Sequence, residues 1–258
     1  MNFNYELSKE IIKFIEDSEL EEISIGCSES QIIRIKKNNQ IYYLKMAKLG
    51  MLTKEYNKLK WLDGKLRVPR IVIYDKNDDT EFLITEAVRG EMVCSSKYQD
   101  NPELGIKIIA QAFKDIYAVD ISECPFDVSI DYKLKLVETN VRDKLIDAMQ
   151  VNEKYLLEFG SLEKILTFLQ ENKFYDEKCF SHGDISLPNL FADGNNFSGF
   201  IDVGECGIAD KWFDLAICEK SIIRNFGLKY VGRFYEELGI IPDRKKIDYY
   251  ILMMELYL

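Results

Sequence analysis

Apolar residues recur at three- and four-residue steps over 4–18, with Leu7, Ile11, Ile12, Phe14 and Ile15 among them, which predicts an amphipathic helix. From Ile23 the pattern becomes that of strands. An apolar run at 32–35, the polar turn Lys37-Asn38-Asn39-Gln40 and a second apolar run at 41–46 predict a hairpin. A helix follows over 53–62, with Tyr56, Leu59 and Leu62 on one face. Asp63-Gly64 ends it, because glycine accepts the left-handed cap. Val68-Pro69 opens a second strand pair, 71–74 and 82–85, which turns at 75–79.

Beyond about Arg89 the pattern is mostly helical. The segments 102–119, 130–149, 161–171, 209–225, 229–238 and 243–257 all carry apolar residues at helical spacing. The exception is 180–203, in which Asp193-Gly194-Asn195-Asn196 has the composition of a hairpin tip. A β-rich first third and a helical remainder predict an α+β fold of two lobes, a small β-rich one over 1–86 and a larger, mostly helical one over 87–258.

Bulk properties narrow the class. The 258 residues are 47% hydrophobic and 30% charged, ordinary values for a soluble globular protein. A net charge of −10 opposes binding to nucleic acid and suits a cationic partner. No apolar run approaches the length of a membrane span. The N-terminus lacks a basic start and an apolar core, so we expect a cytoplasmic protein with no membrane partner. Six scattered cysteines without a C-x-x-C pair read as reduced thiols. His182 is the only histidine, which excludes a zinc site built on histidines, and no G-x-S-x-G elbow supports a serine hydrolase.

The chemistry concentrates in Ser181-His182-Gly183-Asp184-Ile185-Ser186-Leu187-Pro188-Asn189 and Phe200-Ile201-Asp202-Val203-Gly204. Singly, Asp184 reads as a turn residue, Asn189 as a loop residue and Asp202 as a strand end. Jointly they form H-G-D-x-x-x-x-N, a hairpin, and an apolar strand ending in D-x-G. That spacing suits phosphoryl transfer, with Asp184 meeting a substrate hydroxyl and Asn189 and Asp202 holding Mg²⁺ against a nucleotide. Lys45 lies inside the apolar strand 41–46. It is either an edge-strand lysine facing solvent or a cation for phosphates steadied by Glu55. The small-residue turn at 24–30 suits phosphates or is an ordinary β-turn. Asp214, near the start of the following helix, has the placement to bind backbone amides of the Asp184 loop.

These strings resemble the aminoglycoside phosphotransferases, in particular those acting on the 3′-hydroxyl. The likeness runs almost end to end, through Tyr43-Leu44-Lys45-Met46, Trp61-Leu62-Asp63-Gly64, 120–125, 181–189, Gly199-Phe200-Ile201-Asp202, Ala209-Asp210-Lys211-Trp212 and Tyr249-Tyr250-Ile251-Leu252. The resemblance implies a protein-kinase-like fold and transfer of the γ-phosphoryl group of ATP (or GTP) to a drug hydroxyl, with Mg²⁺, conferring resistance. By position it places Tyr43 on the adenine and the backbone of Thr85 and Ala87 on the base edge. Ser28 would lie over the phosphates, and Lys45, paired with Glu55, would contact them. Asn189 and Asp202 become metal ligands and Asp184 the catalytic carboxylate. Glu255, Tyr257, Glu153 and Glu158 are the substrate-binding candidates, and a monomer is expected.

The chain departs from the pattern of the family it resembles where substrate is chosen. Glu205 stands where arginine is common, Arg224 and Asn225 where acids bind ammonium groups, and Lys154 in the acidic loop. The competing expectation is therefore a kinase of the same fold acting on a non-aminoglycoside hydroxyl. A non-catalytic nucleotide-binding protein is opposed by the intact Lys45, Glu55, Asp184, Asn189 and Asp202. A protein kinase is opposed by the absence of D-F-G and A-P-E strings.

Overall fold

The computed structural model describes residues 3–23 and 30–257; Ser28 falls outside the described residues. The chain forms two compact units. One comprises Met1–Glu91, Phe191–Gly194 and Ser198–Gly204, the other Met92–Leu190, Asn195–Phe197 and Glu205–Leu258.

The first unit runs α1 (Lys9–Ile15), β1 (Glu19–Ile23), β2 (Gln31–Lys37), β3 (Gln40–Lys48), α2 (Thr53–Leu62), β4 (Ile71–Lys76) and β5 (Thr80–Glu86). Its five strands form an antiparallel sheet in the order β1-β2-β3-β5-β4. Helix α1 is shorter than its apolar pattern predicts. Ser8 caps it by accepting the Ile11 N–H, and Asp17 leaves it in the left-handed conformation. Strand β1 was not legible, because Glu19-Leu20-Glu21-Glu22-Ile23 lacks an apolar alternation. Cross-strand ion pairs hold it at the sheet edge, Glu21 to Arg34 at 3.1 Å and Glu19 to Lys36 at 3.0 Å, each pair directly opposed in register.

Strand alternation then sorts the side chains of β3. Leu44 and Met46 join Ile11, Ile33, Ile35, Phe82 and Ile84 in a core from which water is excluded. Each such side chain contributes about 1.5–3 kcal/mol. Tyr43 and Lys45 alternate with them and so belong to the opposite face of the sheet.

Three short strands, β6 (Glu91–Met92), β8 (Leu190–Asp193) and β9 (Asn196–Phe200), carry residues of both units. Asp193 ends β8 and Asn196 starts β9, so the expected hairpin tip is a tight turn with Gly194 at φ +62°.

The second unit is otherwise helical: α3 (Ser96–Gln99), α4 (Pro102–Tyr117), α5 (Ile130–Arg142), α6 (Glu153–Phe159), α7 (Leu162–Glu171), α8 (Lys211–Asn225), α9 (Val231–Leu238) and α10 (Arg244–Met254). Strands β7 (Lys178–Ser181) and β10 (Gly207–Asp210) pair antiparallel within it. The helix expected over 130–149 stops at Arg142. Leu145 N–H reaches the Asn140 carbonyl and Lys144 takes φ +54°, a Schellman closure that only a 3₁₀ turn at Ala148–Gln150 follows. The helix expected from 209 begins at Lys211. Residues 207–210 are committed to the ladder with β7, and Asp210 caps α8 by accepting the Trp212 N–H. Helices α3 and α6 are too short to have shown a period in the sequence.

Candidate active site

In the second unit β7 delivers the chain to His182-Gly183-Asp184, and three features fix the loop. Gly183 has φ +86°, and a Cβ there would lie 2.3 Å from the Glu205 carbonyl oxygen, so no other residue fits without backbone movement. Asp214, on the first turn of α8 and 1% exposed, accepts three hydrogen bonds from it. Its Oδ1 takes the Ser181 hydroxyl at 2.9 Å and the Gly183 N–H at 3.0 Å, and its Oδ2 takes the His182 N–H at 2.7 Å. This is the anchoring role its position in the sequence had indicated. His182 is fully buried, and its Nδ1 accepts the Asp184 N–H at 3.3 Å.

The loop brings Asp184 and Asn189 together. Asn189 Nδ2 donates to Asp184 Oδ2 at 2.8 Å and to the Asp184 carbonyl at 2.9 Å. Both amide protons are engaged, which leaves the amide oxygen as the donor atom for a cation. Asn189 closes a single 3₁₀ turn, Leu187–Asn189, whose first N–H is held by Ser221 Oγ at 2.9 Å. Ser221 also receives the amide of Asn225, by its carbonyl at 2.8 Å. Ser221 was not singled out from the sequence, since one serine in an amphipathic helix carries no local signal.

In the first unit Lys45 Nζ contacts Glu55 Oε1 at 2.7 Å and Oε2 at 2.9 Å, with both side chains mostly buried. Of the two readings of Lys45, the solvent-facing edge lysine is thereby excluded. Helix α2 reaches this position with help from β5. Its first residues have no side-chain cap of their own, and Glu81 supplies one by accepting the Leu52 N–H at 2.6 Å and the Thr53 N–H at 3.1 Å. Burial opposes the ionisation of Glu81, but the donors Thr53, Tyr74 and Leu52 outweigh it and lower its pKa. Lys58, one turn beyond Glu55 and 2% exposed, donates to the Gly204 carbonyl at 2.8 Å, tying α2 to the segment that follows Asp202. Glu81 and Lys58 were both missed from the sequence. A lysine on the apolar face of a predicted helix was the available signal for the second.

Asp202 itself has φ +58°, a left-handed conformation uncommon for a residue with a Cβ and costing on the order of 1 kcal/mol. Tyr43 and Thr85 face each other across β3 and β5. Ala87 N–H donates to the Ile41 carbonyl at 3.0 Å, so its carbonyl is the backbone group outside that rung.

The substrate candidates divide. Glu255, at the end of α10, accepts the Asn152 N–H at 2.9 Å and lies 3.4 Å from Lys220 Nζ. Its carboxylate thus steadies the start of α6, the helix carrying Glu153 and Glu158, both exposed. Tyr257 donates its hydroxyl to Glu205 Oε2 at 3.4 Å, and its ring meets Phe213 edge-on with centroids 6.0 Å apart. Burial, reinforced by the charge of Glu205, pushes the Tyr257 phenol up, so it stays a donor. Arg224 is exposed on the last turn of α8, where a cation complements the helix dipole.

Among the described residues, no three His, Cys, Asp or Glu side chains converge as a ready-made metal cluster. None of their helices is long and apolar enough to cross a membrane.

Comparison with known proteins shows the family. The model of the phosphotransferase enzyme family matches residues 19–250. An aminoglycoside 3′-phosphotransferase of Enterococcus faecalis is 34% identical, over 97% of this chain and 98% of its own length. The crystal structure of an aminoglycoside 3′-phosphotransferase of type VIII superposes with a TM-score of 0.82 at 24% identity, covering 96% of this chain and 97% of that one. A Streptomyces rimosus aminoglycoside phosphotransferase in complex with ADP and streptomycin superposes with a TM-score of 0.74 at 19% identity, covering 95% of each chain. The kinase-like α+β fold expected from the sequence is borne out by these likenesses. The chain belongs to the phosphotransferase enzyme family, and within it resembles most the aminoglycoside 3′-phosphotransferases.

Proposed function

We propose that this enzyme transfers the γ-phosphoryl group of ATP to a hydroxyl of an aminoglycoside, the 3′-hydroxyl by resemblance, and so confers resistance. The observation that carries the reading is the Asp184 carboxylate held by Asn189 on a loop anchored by buried Asp214. A relative aligned over nearly its whole length, and named for this reaction, supports the substrate class.

Asp184 orients the acceptor hydroxyl and takes its proton as the oxygen attacks the γ-phosphorus. The bond from that phosphorus to the bridging oxygen breaks, and ADP leaves with the electron pair. Lys45, fixed by Glu55, contacts the phosphates and offsets their charge. Tyr43 stacks on the base, Thr85 and Ala87 meet its edge through their backbone, and Ser28 covers the phosphates. The Asn189 amide oxygen and the Asp202 carboxylate are hard oxygen donors that fit Mg²⁺, which takes few protein ligands and completes its shell with phosphates and water. When bound there, Mg²⁺ supplies neutralisation of the phosphate charge. Glu255, Tyr257, Glu153 and Glu158 serve the cationic drug, whose ammonium groups suit an acidic protein.

The same reading takes the enzyme to be a cytoplasmic monomer, independent of nucleic acid and membranes, with GTP as an alternative donor. Coupled detection of ADP with kanamycin, neomycin and non-aminoglycoside alcohols tests it. Turnover confined to aminoglycosides is the expected result. Turnover confined to another alcohol would replace the acceptor and keep the chemistry.

A further inference from the structure

Glu205 packs its backbone and Cβ against the loop of Asp184. A Cβ built on Gly183 would meet the Glu205 carbonyl oxygen at 2.3 Å and the Glu205 Cβ at 2.8 Å. Since consecutive Cα atoms lie 3.8 Å apart across a trans peptide, the Glu205 Cβ is within about 8 Å of the Asp184 Cα. Glu205 therefore belongs to the surroundings of the Asp184 backbone, and its longer side chain can reach groups that flank the acceptor hydroxyl.

The side chain is also oriented. Tyr257 donates its hydroxyl to Glu205 Oε2, and the Tyr257 ring is itself fixed edge-on against buried Phe213. Lys133 Nζ lies 3.6 Å from the Phe213 ring centroid and 5.1 Å from that of Tyr257, so a cation stands behind these rings. Glu205 is partly exposed, whereas Asp214 is enclosed by its loop. Glu255, at the end of α10, accepts the N–H of Asn152 and lies 3.4 Å from Lys220 Nζ. Glu153 and Glu158 lie on α6, which Glu255 tethers, rather than on the catalytic loop.

We infer that Glu205 is a specificity residue for the acceptor. Its carboxylate receives the ammonium group nearest the hydroxyl that is phosphorylated. This rests on the phosphotransferase reading above. It predicts a preference for aminoglycosides bearing an amine, rather than a hydroxyl, next to the acceptor position. Tyr257 acts through Glu205 as a positioning residue.

Kanamycin A and kanamycin B make the test, because they differ by a hydroxyl against an ammonium beside the 3′-hydroxyl. Full-length wild type, Glu205→Gln, Glu205→Asp and Tyr257→Phe are compared in steady-state ADP release, with melting curves to establish folding. Wild type should favour kanamycin B. Glu205→Gln should raise KM for kanamycin B by about tenfold or more, abolish the preference, and leave KM for ATP unchanged. Glu205→Asp should retain part of the preference, and Tyr257→Phe should weaken it by less than Glu205→Gln does. A kanamycin B to kanamycin A ratio unaltered in Glu205→Gln and Glu205→Asp, with wild type active on both drugs, would overturn the role of Glu205 alone. ATP turnover by wild type without phosphorylation of either drug would overturn the aminoglycoside reading and this inference with it.

Discussion

Asn189 Nδ2 holds the Asp184 carboxylate at 2.8 Å while also binding the Asp184 carbonyl at 2.9 Å. The amide thus sets the rotamer of the proposed base and spends both protons doing so. Asn189→Asp would set a second carboxylate against the first, and like charges at that distance resist joint ionisation. We expect kcat to fall by about two orders of magnitude, with the acid limb of the pH–rate profile moved to higher pH. A profile with its acid limb in the wild-type position would detach Asn189 from Asp184.

Gly183→Ala tests the loop by its backbone alone. The added Cβ would have to displace the Glu205 carbonyl, and the φ of +86° disfavours it further. The shift falls on the peptide that precedes Asp184, so turnover should drop by about a hundredfold, as misplaced catalytic groups do. Nucleotide affinity, measured by calorimetry with a non-hydrolysable ATP analogue, should stay near wild type. Activity within a few fold of wild type would mean that the loop yields without consequence.

Asp214 accepts hydrogen bonds from Ser181, His182 and Gly183 with almost no exposure. Asp214→Asn replaces one acceptor by a donor that faces donors. Leaving buried N–H groups unsatisfied costs about 1–3 kcal/mol. For a chain of this size, about 1 kcal/mol corresponds to 2–4 °C in Tm. We expect Tm to fall by several degrees and activity to fall with it. Lys45→Ala should instead weaken ATP use and leave the second unit's melting unchanged, which separates anchoring from nucleotide contact.

Glu177 predicts a pH effect on stability from a residue outside the Asp184 loop. Hydrogen bonds from Lys211, Trp212 and Lys246 lower its pKa from 4.5 to about 2. A carboxyl depressed on folding stabilises the native state fully above its unfolded pKa. That contribution is lost as pH falls from about 4.5 towards 2. The side chain is 47% exposed, so solvent screens the effect. Denaturant midpoints of wild type and Glu177→Gln should differ at neutral pH and converge across that window. A constant offset down to the low end of the window would remove Glu177 from the acid response.

Much of this was readable before the structure, for physical reasons that differ by residue. The hairpin holding Lys45 and the helix holding Glu55 showed as clean periods, because one face of each packs on a core. Asp184, Asn189 and Asp202 stood out because their joint spacing matches that of a phosphoryl-transfer motif, and the fold brings Asn189 onto Asp184. Strand β1 was not, since its stability comes from ion pairs with β2 rather than from apolar alternation. Glu81 and Ser221 act on N–H groups distant in sequence, a relation that only the fold creates. Glu255 has the residue type expected of a drug contact, and its further contacts with the Asn152 N–H and Lys220 join positions that no local pattern in the sequence connects.

The most direct test of the account is ADP release with Mg-ATP and an aminoglycoside, wild type against Asp184→Asn. The account predicts drug-dependent release in wild type and a kcat lower by about two orders of magnitude or more in the variant, with KM for ATP little changed. Equal kcat in the two proteins would contradict it.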